Sequence, residues 1–256
     1  MLVVTVMNDI NHINFLRLDW PLSANMQKAI EDLAVHLMTY KDNFSYVVRI
    51  VRHAASWRMN NWKNNYEKWK ASMLKLSKSS DIVNLVGLIK SCFSSCLNDD
   101  DIKKVRGSIQ EQYAFNICKD LCGSSLGILN VDYKIETGCS VEVNGSAVEY
   151  HCAAPYSSVD DCDDNCYTVD IAIWDKLCGT FFELKLSPDK FFTKNIRLMR
   201  EIKLEMEKEM LASKFILYSW GCKDLTIAWL EAHNLWVDDE FIILDSEDDM
   251  WNFSIA

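Results

Sequence analysis

The sequence predicts an α/β protein: a central mixed sheet flanked by helices, with a mainly helical region ahead of it. Three observations carry that expectation. Tyr167 to Trp174 and Thr180 to Ser187 are β-branched and aromatic runs of strand length, joined by a stretch short enough for a hairpin loop. A helical pattern from Arg106 through Leu121 precedes them, and a helix, then the apolar run Lys214 to Trp220, follows. From Ser23 to Cys96, apolar residues recur at helical spacing.

Taken in order, Met1 to Met7 is apolar and reads as a strand, without a basic leader or a small-residue cleavage site. Ser23 is a candidate cap for a helix whose face carries Ile30, Leu33 and Leu37. Ile82, Leu85, Ile89, Cys92, Phe93 and Cys96 mark another helix, and Asn98-Asp-Asp-Asp101 marks a boundary. Leu126 to Glu136 and Cys139 to Tyr150 are expected as strands around Thr137-Gly138, and Pro155 to Asn165 as a polar loop. Ser187-Pro188 supplies a cap and a first-turn proline for a helix with Phe192, Ile196, Met199, Ile202, Met206 and Met210 near helical spacing, ending near Ala212-Ser213. A helix around Thr226 to His233, a strand around Phe241 to Leu244 and a solvated acidic end complete the chain. The expected organisation is a helical region over residues 1–100 that recognises substrate, a core over 101–220, and an acidic extension over 221–256 packed on or beside the core.

Functional residues concentrate in the hairpin. If Asp175 to Cys178 form its loop, antiparallel pairing sets Trp174 opposite Gly179 and, further along the ladder, Asp170 opposite Glu183. Alternation puts Phe181, Glu183 and Lys185 on one face and Phe182, Leu184 and Leu186 on the other, one face charged and one core. Ionisable groups in such apolar company call for a compensating partner. Mg²⁺ or Mn²⁺, held by Asp170, Glu183 and the Leu184 carbonyl, would supply it, with Lys185 acting on the attacking water or on phosphate charge. The alternative is an ordinary cluster on the solvated side of a hairpin. Upstream, Glu111 stands in the expected first turn of its helix, either as a further metal-site acid or as the capping-box partner of Ser108.

This order, helix, strand or hairpin, strand, strand, helix, strand, with Glu111 on the first helix, Asp170 on the second strand and Glu183-Leu184-Lys185 on the third, resembles the PD-(D/E)xK nuclease superfamily over roughly residues 104–220. Val169 stands where the family name has proline. The resemblance implies a restriction-endonuclease-like core, metal-site acids at Glu111, Asp170 and Glu183, a catalytic lysine at Lys185, and a nuclease acting on DNA in preference to RNA, in restriction or antiviral defence. The competing expectation is a catalytically silent scaffold of the same fold that binds a protein partner or a second copy of itself.

Net charge of −10 works against phosphate binding, but its distribution is uneven. Lys41 to Lys78 holds nine basic residues against Asp42 and Glu67, a net of +7. Arg49, Arg52, Arg58, Lys63 and Lys70 are candidate phosphate contacts there, and Lys190, Lys194, Arg197 and Arg200 form a second set after the motif. The rings Trp62, Tyr66 and Trp69 either stack on bases or join Met73 and Leu76 in a helical core stripe. Asp224 to Ala256 carries nine acids and no Lys or Arg, and Ser246 to Trp251 could cover a basic surface. The 10 cysteines are expected as reduced thiols of a cytoplasmic protein, with no membrane partner. Cys92/Cys96 and Cys118/Cys122 fall on packed helix faces, whereas His151, Cys152, Cys162 and Cys166 are either unligated or a zinc or iron–sulfur site, with His151 and Cys152 adjacent and Cys162/Cys166 separated by three residues.

Overall fold

A computed structural model describes residues 13–18, 22–125, 132–151 and 166–253. The apolar opening run, residues 126–131 of the expected strand, and Cys152 and Cys162 lie outside the described residues.

Helices α1 (Ala24–Thr39), α2 (Phe44–His53), α3 (Trp62–Leu76), α4 (Ser80–Ser94) and α5 (Asp99–Ser125) form the first half of the chain after strand β1 (Ile13–Arg17). Ser23 caps α1, its hydroxyl accepting the Met26 amide at 3.3 Å. Strands β2 (Lys134–Val143), β3 (Ser146–Ala147), β4 (Val169–Trp174) and β5 (Cys178–Lys185) follow, then α6 (Thr193–Lys208), β6 (Ala212–Ser219), α7 (Lys223–Ala232), β7 (Ile242–Leu244) and α8 (Glu247–Asn252). Among the described residues the sheet is mixed and seven-stranded, ordered β1-β2-β4-β5-β6-β7, with β3 on β2. Pairing is antiparallel from β1 to β5 and parallel from β5 through β7. Parallel neighbours require crossovers, which α6 and α7 provide.

Both sheet faces are covered. Ile171, Ile173, Phe182, Leu184, Ile216 and Tyr218 pack against α1 to α5. Ala172, Trp174, Phe181, Phe215 and Leu217 pack against α6 and Leu230 of α7. The face of β5 expected to carry charge is therefore a second core, with Glu183 and Lys185 only at its far end, and the alternative of a solvated hairpin side falls away. A strand covered on both faces reads as a near-continuous apolar run, which Gly179 to Leu184 is.

Other expectations also change. Helix α5 begins at Asp99, with the Asn98 side chain accepting the Asp101 amide at 2.9 Å. The polar run at 98–101 is thus a helix start, and α5 shares one apolar core with the helices before it. Strand β2 runs unbroken through Thr137-Gly138, because Thr137 pairs with Ile171 and Cys139 with Val169 on either side of a glycine at φ 49. Ser187-Pro188 starts a single 3-10 turn, α6 begins only at Thr193, and it ends at Lys208. Met210 then takes φ 56 and β6 starts at Ala212. The acidic end is not simply solvated: Met250 of α8 is fully buried, and the Trp251 ring lies 3.5 Å from the Lys41 ammonium. In α3, Trp62, Tyr66 and Met73 are core, while Leu76 is exposed.

Candidate active site

The hairpin has the expected register. Asp175 Oδ1 accepts the Leu177 and Cys178 amides at 2.9 and 2.6 Å, closing the turn, and Trp174 faces Gly179. The ladder continues through Ile171 opposite Phe182, so the next step brings Asp170 to Glu183. Gly138, with no side chain, lies across from Asp170 on β2.

Asp170 Oδ2 accepts the Leu184 amide at 2.6 Å and lies 3.4 Å from Lys185 Nζ. Lys185 Nζ also donates to Glu183 Oε1. One ammonium thus bridges two carboxylates at the end of adjacent strands. Exposure is graded across the trio: the Glu183 side chain keeps 2%, Lys185 19% and Asp170 22%. Burial, with Asp170 beside it, pushes the Glu183 carboxyl up to about 8 against the pull of Lys185. Burial alone would lower Lys185, but Asp170 and Glu183 outweigh it and hold the ammonium well above its ordinary range.

Glu111 lies in the middle of α5, twelve residues beyond its start at Asp99, so Ser108 is not a cap and the capping-box alternative falls away. Its carboxylate acts on the Lys185 charge. The neighbouring Gln110, a buried amide that sequence reasoning did not single out, donates to the Lys185 carbonyl at 3.1 Å. Its only signal was a polar residue on the stripe of Ile109, Tyr113 and Ile117. Among the described residues, no three His, Cys, Asp or Glu side chains stand together as a metal cage. Two of the three expected acids are brought to one point and Glu111 flanks them. The Leu184 side chain is core.

Of the candidate phosphate contacts, Lys194 is the one whose charge acts on Glu183 and Cys166. Lys190 pairs with Asp189 at 2.9 Å. Arg197 donates to the Tyr150 hydroxyl at 2.9 Å, and Arg200 grips Glu240 with two nitrogens and the Leu235 carbonyl with one, which makes it structural. Arg49, Arg52 and Lys63 are exposed on α2 and α3. Lys70 pairs with Glu67 at 3.1 Å, and Arg58 with Asp99 at 3.8 Å. Lys63 and Lys90 border a cleft of about 490 Å³ between α3 and α4 that contains none of the motif residues.

Cys92, Cys96, Cys118 and Cys122 are buried thiols, and burial raises each of them above its ordinary value. Cys166 exchanges backbone hydrogen bonds with Tyr150, and its thiol is pushed up to about 11, chiefly by burial and then by Glu183. His151 bonds Glu149 at 2.9 Å. Among the described residues, no helix is long and apolar enough to cross a membrane.

No family model matches the chain, and no curated protein matches it. Among solved structures, the chain is similar to protein VC1899 from Vibrio cholerae, with 11% identity and a TM-score of 0.43 over 94% of this chain and 56% of that protein. The chain therefore spans little more than half the length of that protein.

Proposed function

We propose that the chain is a metal-dependent nuclease with a PD-(D/E)xK-type, restriction-endonuclease-like core, hydrolysing phosphodiester bonds in nucleic acid, DNA in preference to RNA, in restriction or antiviral defence. The observation that carries the reading is the single Lys185 ammonium shared by Asp170 and Glu183 on adjacent strands. A buried ionic cluster is a poor stabiliser compared with apolar packing, so its presence in a two-sided core favours a chemical role.

The residues fit a hard divalent cation. Asp170 and Glu183 offer carboxylate oxygens, and the Leu184 carbonyl is a further oxygen donor, the set that Mg²⁺ or Mn²⁺ prefers. When bound, such an ion polarises a phosphoryl oxygen and acidifies a water. Lys185, held protonated, would neutralise charge gathering on the phosphate rather than take a proton. The charge of Lys194 acts on Glu183 and that of Glu111 on Lys185, and Gln110 positions Lys185 through its carbonyl.

One observation favours the silent-scaffold alternative: Lys185 already compensates both carboxylates without an added ion. Cleavage decides between them. Wild type is incubated with single- and double-stranded DNA and with RNA, in Mn²⁺ or Mg²⁺, beside Asp170→Asn and Lys185→Ala. The nuclease reading expects cleavage that falls by about 10²-fold or more in each variant. Cleavage of no substrate with either metal leaves the scaffold; undiminished cleavage in both variants puts the chemistry elsewhere.

A further inference from the structure

The geometry points to the cleft between α1, α5 and the β1-β2 edge as the groove for one nucleic-acid strand, with Arg17 and Lys104 as phosphate contacts. This inference rests on the nuclease reading for its substrate class, but its evidence is separate. The cleft measures about 920 Å³ and is lined by Arg17, Gln27, Lys104, Gly107, Glu111 and Thr137, among others.

Two of its lining residues, Glu111 and Thr137, connect it to the motif. Glu111 acts on the Lys185 charge, and Thr137 pairs with Ile171, one residue from Asp170. The floor along α5 is open at Gly107, where an added Cβ would meet only Glu111 Oε1, at 3.5 Å. At the rim, Arg17 and Lys104 are exposed cations, Arg17 lying 4.0 Å from Glu136. Lys103, a third lining cation, pairs with Asp100 at 2.8 Å, a shorter contact than that of Arg17 with Glu136. On the α1 side the Gln27 amide donates to Glu31 at 2.7 Å and to Gln112 at 3.3 Å, so amide groups stand beside the Glu31 carboxylate on that wall. Cations at the rim, amides within and a glycine floor suit a strand's phosphates and bases. The basic helix α3, by contrast, borders a different cleft, against α4.

The test is fluorescence anisotropy with short labelled single-stranded DNA, single-stranded RNA and duplex DNA, without divalent metal, on full-length wild type, Arg17→Ala/Lys104→Ala, Gly107→Leu and, as the contrasting surface, Arg49→Ala/Lys63→Ala. Circular dichroism melts verify that each variant is folded, and the cleavage assay is run in parallel. Single strands should bind more tightly than duplex, with about tenfold loss in Arg17→Ala/Lys104→Ala, a shallower salt dependence, and a similar loss in Gly107→Leu, which fills the floor without removing charge. The DNA and RNA arms tell which sugar the cleft accepts. Binding that is absent, that is lost only in Arg49→Ala/Lys63→Ala, or that favours duplex overturns the inference. Cleavage indifferent to the cleft variants overturns it while leaving the nuclease reading intact. Cleft-dependent binding without cleavage does the reverse.

Discussion

The Asp170 carboxylate accepts the Leu184 amide proton at 2.6 Å, so the main chain of β5 orients an acid carried by β4. The same oxygen faces Lys185, and the pairing of two strands thereby sets the geometry of the site. Asp170→Asn keeps an acceptor for Leu184, and its stability in urea should fall by no more than about 1 kcal/mol. Asp170→Ala removes the acceptor and half of the Lys185 compensation and should lose about 1–3 kcal/mol. Equal losses in the two variants would show that the hydrogen bond does not hold the strand end.

Glu183 and Lys185 form a buried ion pair, which apolar or neutral groups of similar shape commonly replace without loss. The triple variant Asp170→Asn/Glu183→Gln/Lys185→Met, which leaves none of the trio charged, should keep its stability or gain about 1–4 kcal/mol in equilibrium unfolding while losing any cleavage activity. A large loss of stability would identify the trio as structural.

His36 gives a pH dependence away from the site. It is buried in α1, contacting Asn43 and Asn84, and burial lowers its pKa from 6.5 against the opposing pull of Asp81. The folded state therefore binds fewer protons than the unfolded state below that value. Its contribution to stability is present above 6.5 and fades as pH falls through the depressed folded pKa. Urea unfolding at about pH 7 and about pH 5 should show a larger loss for wild type than for His36→Gln. An equal loss would place the acid sensitivity in other groups.

Met250 is fully buried in α8, on the core shared with α5. Met250→Ala should lower stability by about 2–5 kcal/mol, read from the urea midpoint. Truncation after Leu244 removes this packing and the Trp251 contact with Lys41 together, so a change in nucleic-acid affinity on truncation needs Trp251→Ala beside it. An unchanged midpoint in Met250→Ala would mean that α8 is not docked in solution.

The hairpin was legible because a period of two and a loop of known ends determine its register: once Trp174 meets Gly179, Asp170 must approach Glu183. The residue type of Glu111 was legible, but its position was not, since a polar run such as Asn98 to Asp101 reads equally well as a linker or as the capped start of a long helix. The charges of Glu183 and Lys185 left a solvated hairpin face open as the alternative, although Phe181 on that face already pointed to burial on both sides of β5. Gln110 and the cleft along α5 depend on which helix packs where, which local pattern does not encode.

Calorimetric titration of Mn²⁺ into wild type, Asp170→Ala and Glu183→Gln tests most directly whether the two carboxylates form a cation site. The account predicts saturable binding to wild type that each substitution weakens by about tenfold or more. Wild type that takes up no Mn²⁺, or variants that bind it as tightly as wild type, would contradict it.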